Sequence, residues 1–326
     1  MSDLPALSEL PLPPSDHVPQ AYGWAGPPPA VRERYWLHAL LLVATLGTTT
    51  LVGGSHWFGF QTDFGSRPIS VGASTLALNG LWYALTILAI LGAHELGHYL
   101  ACRYHGISAT LPYFLPIPFL LTGTAGAFIR IRQPITTKPV LFDIGVAGPF
   151  AGFLVAVPAL LIGLALSRVA PLPPNFSGAE LGEPLLFQAA AWLVWGSVPD
   201  HLSINLHPMA FAAWFGLLAT ALNLFPIGQF DGGHIAYAAL GRRSFFLTIG
   251  TVVVAIGLCF YSSSWIVWTG LAVALLSAFG WRHPPTWDDH VPLDRARLWL
   301  AFVALVVFVL CFTAAPIEPL DLIRPK

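Results

Sequence analysis

Two histidines and a glutamate lie within five residues of one another, in the sequence His94-Glu95-Leu96-Gly97-His98. On a helix, His94 and His98 are one turn apart and face the same side, so both imidazoles can bind one tetrahedral zinc ion. Glu95 is rotated by about 100° from His94 and can reach a water molecule on that ion. The spacing therefore predicts a zinc site with a general base beside it, an arrangement suited to hydrolysis.

Such a site needs a third protein ligand, because a catalytic zinc ion usually has three and leaves the fourth position for water. Asp231 is the best candidate, since it is an ionisable group that follows an apolar segment. Gly232 and Gly233 come next and allow a close approach of the backbone. An alternative use of Asp231 is to cap a turn, which is common for Asp before Gly. We expect one Zn²⁺ ion per chain.

The composition around this motif is that of a membrane protein. Residues 81–92 carry no charge, and in the whole chain 56% of the residues are apolar and only 10% are charged. Soluble domains have roughly 25% charged residues. The net charge of −1 and the scattered basic residues do not indicate a nucleic-acid partner. The lipid bilayer is therefore the expected environment, and the zinc site is expected within a membrane helix.

The apolar runs predict an all-α polytopic membrane protein with about seven transmembrane helices. The segment near 110–132 is interrupted by prolines and glycines, which predicts a re-entrant or β-like element. Asp143 is expected to cap the third helix, and residues 168–207 are expected to form a Pro-rich loop. The predicted spans are 36–53, 81–102, 142–166, 209–226, 245–261, 265–281 and 298–315.

The basic residues predict the orientation of these spans. If the N-terminus is cytoplasmic and seven spans alternate, eleven of the fifteen Lys and Arg residues lie on the cytoplasmic side. This distribution agrees with the positive-inside rule. We therefore expect a multi-pass protein of the cell membrane, such as the bacterial inner membrane, with the zinc site near the cytoplasmic side.

Two further motifs give the chain a specific resemblance. The run Asn223-Leu224-Phe225-Pro226 is followed by Asp231-Gly232, and Asp143-Ile144-Gly145-Val146-Ala147-Gly148-Pro149 opens the third span. With the His94 motif, their order resembles the site-2 protease family of intramembrane zinc metalloproteases, in the bacterial and plastid subtype without an inserted PDZ domain. The resemblance implies that His94, His98 and Asp231 bind zinc, that Glu95 is the general base, and that Asn223 lies near the substrate or the developing oxyanion.

The resemblance also implies a division of the chain. Residues 1–35 are Pro-rich and predict a disordered cytoplasmic tail. Residues 36–78 are expected to hold the first transmembrane helix and an outer connector. An intramembrane metalloprotease core is expected at 79–243, and additional C-terminal transmembrane helices at 244–326.

The expected function is hydrolysis of peptide bonds within or near the transmembrane segments of membrane-anchored proteins, as in regulated intramembrane proteolysis. One alternative is a non-proteolytic metal transporter or zinc-binding membrane protein. Another is a zinc protease of the type that trims prenylated proteins, although the third ligand there is a Glu. Asn223 has the alternative role of a hydrogen bond between helices. His234 is interpreted as a neighbour of the ligands, and residues 282–290 as a cytoplasmic loop.

A helix protects its own peptide bonds, so a membrane-spanning substrate must unwind before it can be cut. The extended segment then needs another hydrogen-bonding partner. Residues 122–130 have strand-like composition and small side chains at their start. They predict a strand edge that pairs with the substrate by β-augmentation, with a purely structural re-entrant loop as the alternative.

Overall fold

Long uncharged runs dictate a mostly helical chain. The computed structural model describes residues 33–119, 121–173, 179–199 and 201–319. The disordered tail expected over residues 1–35 therefore lies almost entirely outside the described residues. The described helices are α1 (Tyr35–Gln61), α2 (Ala73–Tyr104), α3 (Lys138–Leu166), α4 (Leu185–Trp195), α5 (Pro208–Asn223), α6 (Asp231–Leu240), α7 (Ser244–Cys259), α8 (Ser264–Phe279) and α9 (Arg295–Cys311). The strands are β1 (Tyr113–Pro116), β2 (Thr124–Phe128), β3 (Arg168–Pro171), β4 (Ala179–Leu181), β5 (Leu202–Asn205) and β6 (Ile317–Pro319).

Four described helical segments are long and apolar enough to cross a membrane: α1, α2, α3 and the continuous stretch of α6 and α7. The chain is therefore a membrane protein with a mostly helical fold. Helices α5, α8 and α9 are apolar but only 16 to 17 residues long. The predicted number of seven spans thus remains a prediction.

The β-like segment near 110–132 is an antiparallel hairpin in which Tyr113 pairs with Phe128. The hairpin lies along α1. The His38 ring contacts the carbonyl of Pro112 at 3.1 Å, and the His56 ring contacts the carbonyl of Leu121 at 3.2 Å. Eighteen residues separate these two histidines, which corresponds to about 27 Å of helix. Two polar contacts therefore attach the hairpin to α1 near both ends of the helix.

Small residues bring α1, α2 and α3 close together. A Cβ atom at Gly80 of α2 would lie 2.7 Å from the backbone nitrogen of Gly54 and would overlap the Thr50 carbonyl of α1. A Cβ atom at Gly97 of α2 would in turn overlap the backbone of Ala147 of α3. These backbone contacts fix the position of α2 between its two neighbours.

The described part of the stretch 168–207, residues 168–173, 179–199 and 201–207, forms a cap with a helix and strands, which corrects the prediction of a loop. It contains α4 and three strands, of which β3 pairs with β5 and β4 pairs with β6 near the C-terminus. Trp214 of α5 donates from Nε1 to the Gly182 carbonyl of this cap at 2.7 Å. The prediction failed because the partner of β4 lies more than 130 residues away in the sequence, beyond the reach of local patterns.

The expected role of Asp143 is also corrected. Helix α3 begins at Lys138, with Pro139 in its first turn, so Asp143 lies inside the helix. Its carboxylate accepts two hydrogen bonds of 2.7 Å from Arg297 of α9 and lies 2.9 Å from Nε2 of His105. Asp143 therefore connects α3 to α9 and to the end of α2.

The contact between α1 and α2 gives a stability prediction. We expect Gly80→Val to lower the melting temperature in detergent by several degrees, because overpacking of this kind costs about 1–3 kcal/mol. Gly47→Val is the matched control, since a Cβ atom at Gly47 has nothing within 4 Å. Equal melting temperatures of the two variants would contradict the close packing of α1 and α2.

Candidate metal centre

Helix α2 carries the His94 motif in its last third, surrounded by apolar residues. His94, Glu95 and His98 are all buried, with 7–8% of their surface exposed. Buried ionisable groups in an apolar helix need partners, because leaving them unpaired is costly. The partners come from α3, from α6 and from the hairpin.

Asp231 is the first residue of α6, and its side chain reaches the two histidines. Its Oδ2 lies 3.2 Å from Nε2 of His94 and 3.3 Å from Nε2 of His98. The two Nε2 atoms are 3.1 Å apart. Ligand atoms of a tetrahedral zinc site with bonds of about 2.0–2.1 Å stand about 3.3 Å apart. The size and the chemistry of this His-His-Asp triangle therefore fit a zinc ion. Among the described residues, it is the group of His, Cys, Asp or Glu side chains that lie close enough together to hold a metal ion.

Gly232 explains how Asp231 reaches this position. The chain turns back between α5 and α6, and a Cβ atom at Gly232 would overlap the carbonyl of Leu224 at the end of α5. The sequence analysis predicted this close approach from the two glycines after Asp231. The turn delivers the carboxylate to α2 although 133 residues separate Asp231 from His98.

Helix α3 orients the His98 ring. Nδ1 of His98 donates to the Ile144 carbonyl at 2.7 Å, which leaves the lone pair of Nε2 directed to the other ligands. A partner of this kind fixes the tautomer and the orientation of a metal-binding histidine. Gly148 makes room for the ring, because a Cβ atom there would overlap Nε2 of His98. The small residue at position 148 of α3 therefore serves the site as well as the helix packing.

Glu95 differs from the two histidines in that it also lies beside the hairpin. Its carboxylate is close to the three candidate ligands and to the backbone of Ile129, the residue after β2. Glu95 thus lies between the ligand cluster and the hairpin. This is the position that a general base needs if it acts on a water molecule bound to the metal.

Asn223 is placed near the site but is not joined to it. It is the last residue of α5, and its half-buried side chain makes no hydrogen bond to another described residue. The next residue, Leu224, contacts the Asp231 turn through its carbonyl. The structure therefore brings Asn223 close to the turn that positions Asp231, and its role stays a prediction.

The sequence analysis missed a set of contacts made by residues 282–291, which the structure places against α6. His283 lies 2.8 Å from Nδ1 of His234, ring nitrogen to ring nitrogen, and it stacks on Tyr237. Tyr237 donates from its hydroxyl to Asp289 at 2.7 Å. This bond lowers the pKa of Asp289, and burial lowers the pKa of His283. No spacing pattern could have identified these pairs, because about 50 residues separate the partners.

Gly148 gives a prediction for metal binding. We expect Gly148→Ala to displace the His98 ring and to lower zinc affinity by about tenfold or more, as loss of a ligand's support does. Zinc content after dialysis against graded chelator concentrations measures the effect. Gly250→Ala in α7 is the control, because its Cβ atom has open space. The same zinc retention in both variants would contradict the assigned contact.

Comparison with known proteins identifies a matching family and several similar proteins. The family model described as "Peptidase family M50" matches residues 82–264, which is more than half of the chain. The protein "Probable zinc metalloprotease EGY2, chloroplastic" of Oryza sativa subsp. indica is 36% identical over 169 residues, covering 52% of this chain and 31% of the relative. The EGY2 protein of Arabidopsis thaliana is 32% identical over 244 residues, covering 73% of this chain and 44% of the relative.

The matched part of the chain thus corresponds to less than half of the length of these relatives. No solved structure matches significantly. The family match includes α2 from residue 82 onwards and all of α3, α5 and α6, and therefore all the residues of the His-His-Asp triangle. The chain belongs to peptidase family M50, the family of the site-2 proteases.

Proposed function

We propose that this protein is an intramembrane zinc metalloprotease that hydrolyses peptide bonds within or near the transmembrane segments of membrane-anchored proteins. The observation that carries the proposal is the convergence of His94, His98 and Asp231 at ligand distances, with Glu95 beside them. The names of the relatives, which call them probable zinc metalloproteases, support the same activity. Family membership does not favour the alternative of a metal transporter.

The residues of the site have different roles in hydrolysis. His94, His98 and Asp231 would hold the zinc ion, which would supply a Lewis acid at the site and lower the pKa of water there. Glu95 would accept a proton from the attacking water molecule as the water oxygen bonds to the scissile carbonyl carbon. As the carbon–nitrogen bond breaks, Glu95 gives the proton to the leaving amine. Asn223 is proposed to donate to the oxygen that becomes negative during the attack.

We further propose that the substrate pairs with the outer edge of β2. Among the described residues, β2 is hydrogen-bonded on one side only, to β1. The strand ends next to Ile129, whose backbone faces Glu95. An extended segment on this edge would therefore run towards the general base, with its peptide bonds freed from helical hydrogen bonds.

The proposed topology has seven spans and places the site near one side of the membrane. Several contacts support this topology, because they join helix ends that it places on the same side of the membrane. The end of α1 meets β5 through Asn205, which donates to the Phe60 carbonyl at 2.8 Å. At the opposite ends, Arg297 of α9 pairs with Asp143 of α3. The basic residues favour the cytoplasmic side for the second group. The relatives are named chloroplastic, which favours a plastid-type membrane over the bacterial inner membrane that the sequence suggested.

The proposed division into regions is supported by the family match. The expected core at 79–243 lies almost wholly within residues 82–264. Helices α8 and α9 follow this match and form the additional C-terminal helices. We propose one zinc ion per chain in this core.

The first test pairs zinc content with cleavage of a model single-span substrate. We expect wild type to hold about one zinc ion and to cut, because the three ligands are complete. Glu95→Gln should keep zinc and lose cleavage, since the base is gone and the ligands remain. Asp231→Ala should lose zinc affinity. Glu183→Gln, in the cap, is the matched control for carboxylate loss. If Glu95→Gln cuts as fast as wild type, the assigned chemistry is wrong.

The second test addresses the edge of β2. Gly126 has a φ of +100°, and a valine there would be strained and would add bulk at the edge. We expect Gly126→Val to slow cleavage by about tenfold or more while zinc stays bound. Gly106→Val is the matched control, because Gly106 also has a positive φ (+71°) and open space but lies outside the hairpin. Equal cleavage by the two variants would remove the pairing model.

A further inference from the structure

A cavity of about 440 Å³ lies beside the proposed catalytic site. Its lining is apolar except for one glutamine. Three parts of the chain form its walls: the end of the hairpin, the turn before α6, and helix α8. The lining residues are Phe128, Ile129, Ile227, Gln229, Phe230, Ala272, Leu275, Leu276 and Gly280.

Two of the walls are direct neighbours of catalytic residues. Ile129 belongs to the first wall, and its backbone faces the Glu95 carboxylate. Phe230 belongs to the second wall and immediately precedes Asp231. Neither Glu95 nor Asp231 lines the cavity, but a residue next to each of them does. The side chains on either side of a peptide bond held at the site would therefore lie near this cavity.

The third wall comes from outside the part of the chain that matches the family. The family match ends at residue 264, where α8 begins. Ala272 and Leu276 of α8 are buried, and Leu276 packs against the turn, since a Cβ atom at Gly228 would lie 2.7 Å from its Cδ2. The shape of the cavity thus depends on a helix that the matched core does not supply.

Size and chemistry indicate what the cavity can bind. A dry cavity of about 150 Å³ lined by aliphatic and aromatic side chains already binds benzene. The volume of 440 Å³ is large enough for a leucine or phenylalanine side chain with space remaining. A charged side chain would lose its hydration in such surroundings without a matching partner.

We propose that this cavity is a specificity pocket that binds a large apolar side chain of the substrate, next to the scissile bond. The inference rests on the proposed proteolytic function and on pairing of the substrate with β2. Side chains alternate between the two faces of an extended segment, so one face of the substrate enters the pocket. The protein therefore selects segments with Leu or Phe at that position, and α8 sets the size limit.

Cleavage of a substrate series tests the size limit. Ala, Val, Leu and Phe are placed in turn at each position within three residues of the cut. For wild type we expect one position at which Leu or Phe is preferred over Ala by about tenfold or more. Leu275→Trp fills the pocket and should reverse that preference. Leu271→Trp is the matched control, because Leu271 lies one turn earlier on α8, is 48% exposed and does not line the cavity. An unchanged preference in Leu275→Trp overturns the proposal.

Photo-crosslinking gives a second measurement that does not depend on cleavage. A single-span substrate with a diazirine analogue of leucine at the preferred position, or at each position in turn, is mixed with the Glu95→Gln variant. We expect adducts on the α8 wall, at residues 272–276, and their loss in Leu275→Trp. Adducts on none of the three walls of the cavity, or on lipid alone, overturn the pocket. If wild type cuts no substrate, the proposed function fails, and the adduct map still decides whether the cavity binds the segment.

Discussion

The fold depends on the close contact between α2 and α3. Gly97 and Gly148 let the two helices touch at the level of the metal ligands, and the same contact lets the Ile144 carbonyl orient the His98 ring. A larger residue at either position would separate the helices and turn the imidazole away from Asp231. The ligand geometry is therefore a consequence of helix packing. Because these polar side chains are largely buried, protein groups must supply the hydrogen bonds that water would otherwise supply.

The rest of the described structure stabilises this contact from both ends. In the cap, β4 pairs with β6, and Trp265 at the start of α8 donates to the Ala314 carbonyl after α9. At the other end, Arg297 binds the Asp143 carboxylate with two hydrogen bonds of 2.7 Å. Residues 282–291 are attached to α6 by ring and hydroxyl contacts. Elements distant in sequence thus hold the two helices that meet at the site: α9 binds α3, and residues 282–291 bind α6, the helix that begins with Asp231.

The sequence predicted which residues converge at the candidate metal centre better than it predicted the architecture around them. His94 and His98 were evident because helical spacing alone puts them on one face, and Asp231 followed from its motif and its glycines. The β-like character of residues 110–132 was evident from its prolines and glycines. The cap, the attachment of the hairpin to α1 and the pairing of Asp143 with Arg297 were not predictable. Contacts that define these features join residues 74 to 154 positions apart, for which local patterns carry no information.

The two histidines that attach the hairpin to α1 have a mechanical consequence. His38 and His56 hold it near both ends of a stretch of about 27 Å, close to the roughly 30 Å thickness of a bilayer's hydrocarbon core. Two attachment points this far apart resist rotation of the hairpin relative to the helix. Since the tilt of a transmembrane helix adjusts to membrane thickness, a change in lipid composition that tilts α1 also shifts the free edge of β2. The lipid environment thereby acts on the alignment of the strand with Glu95.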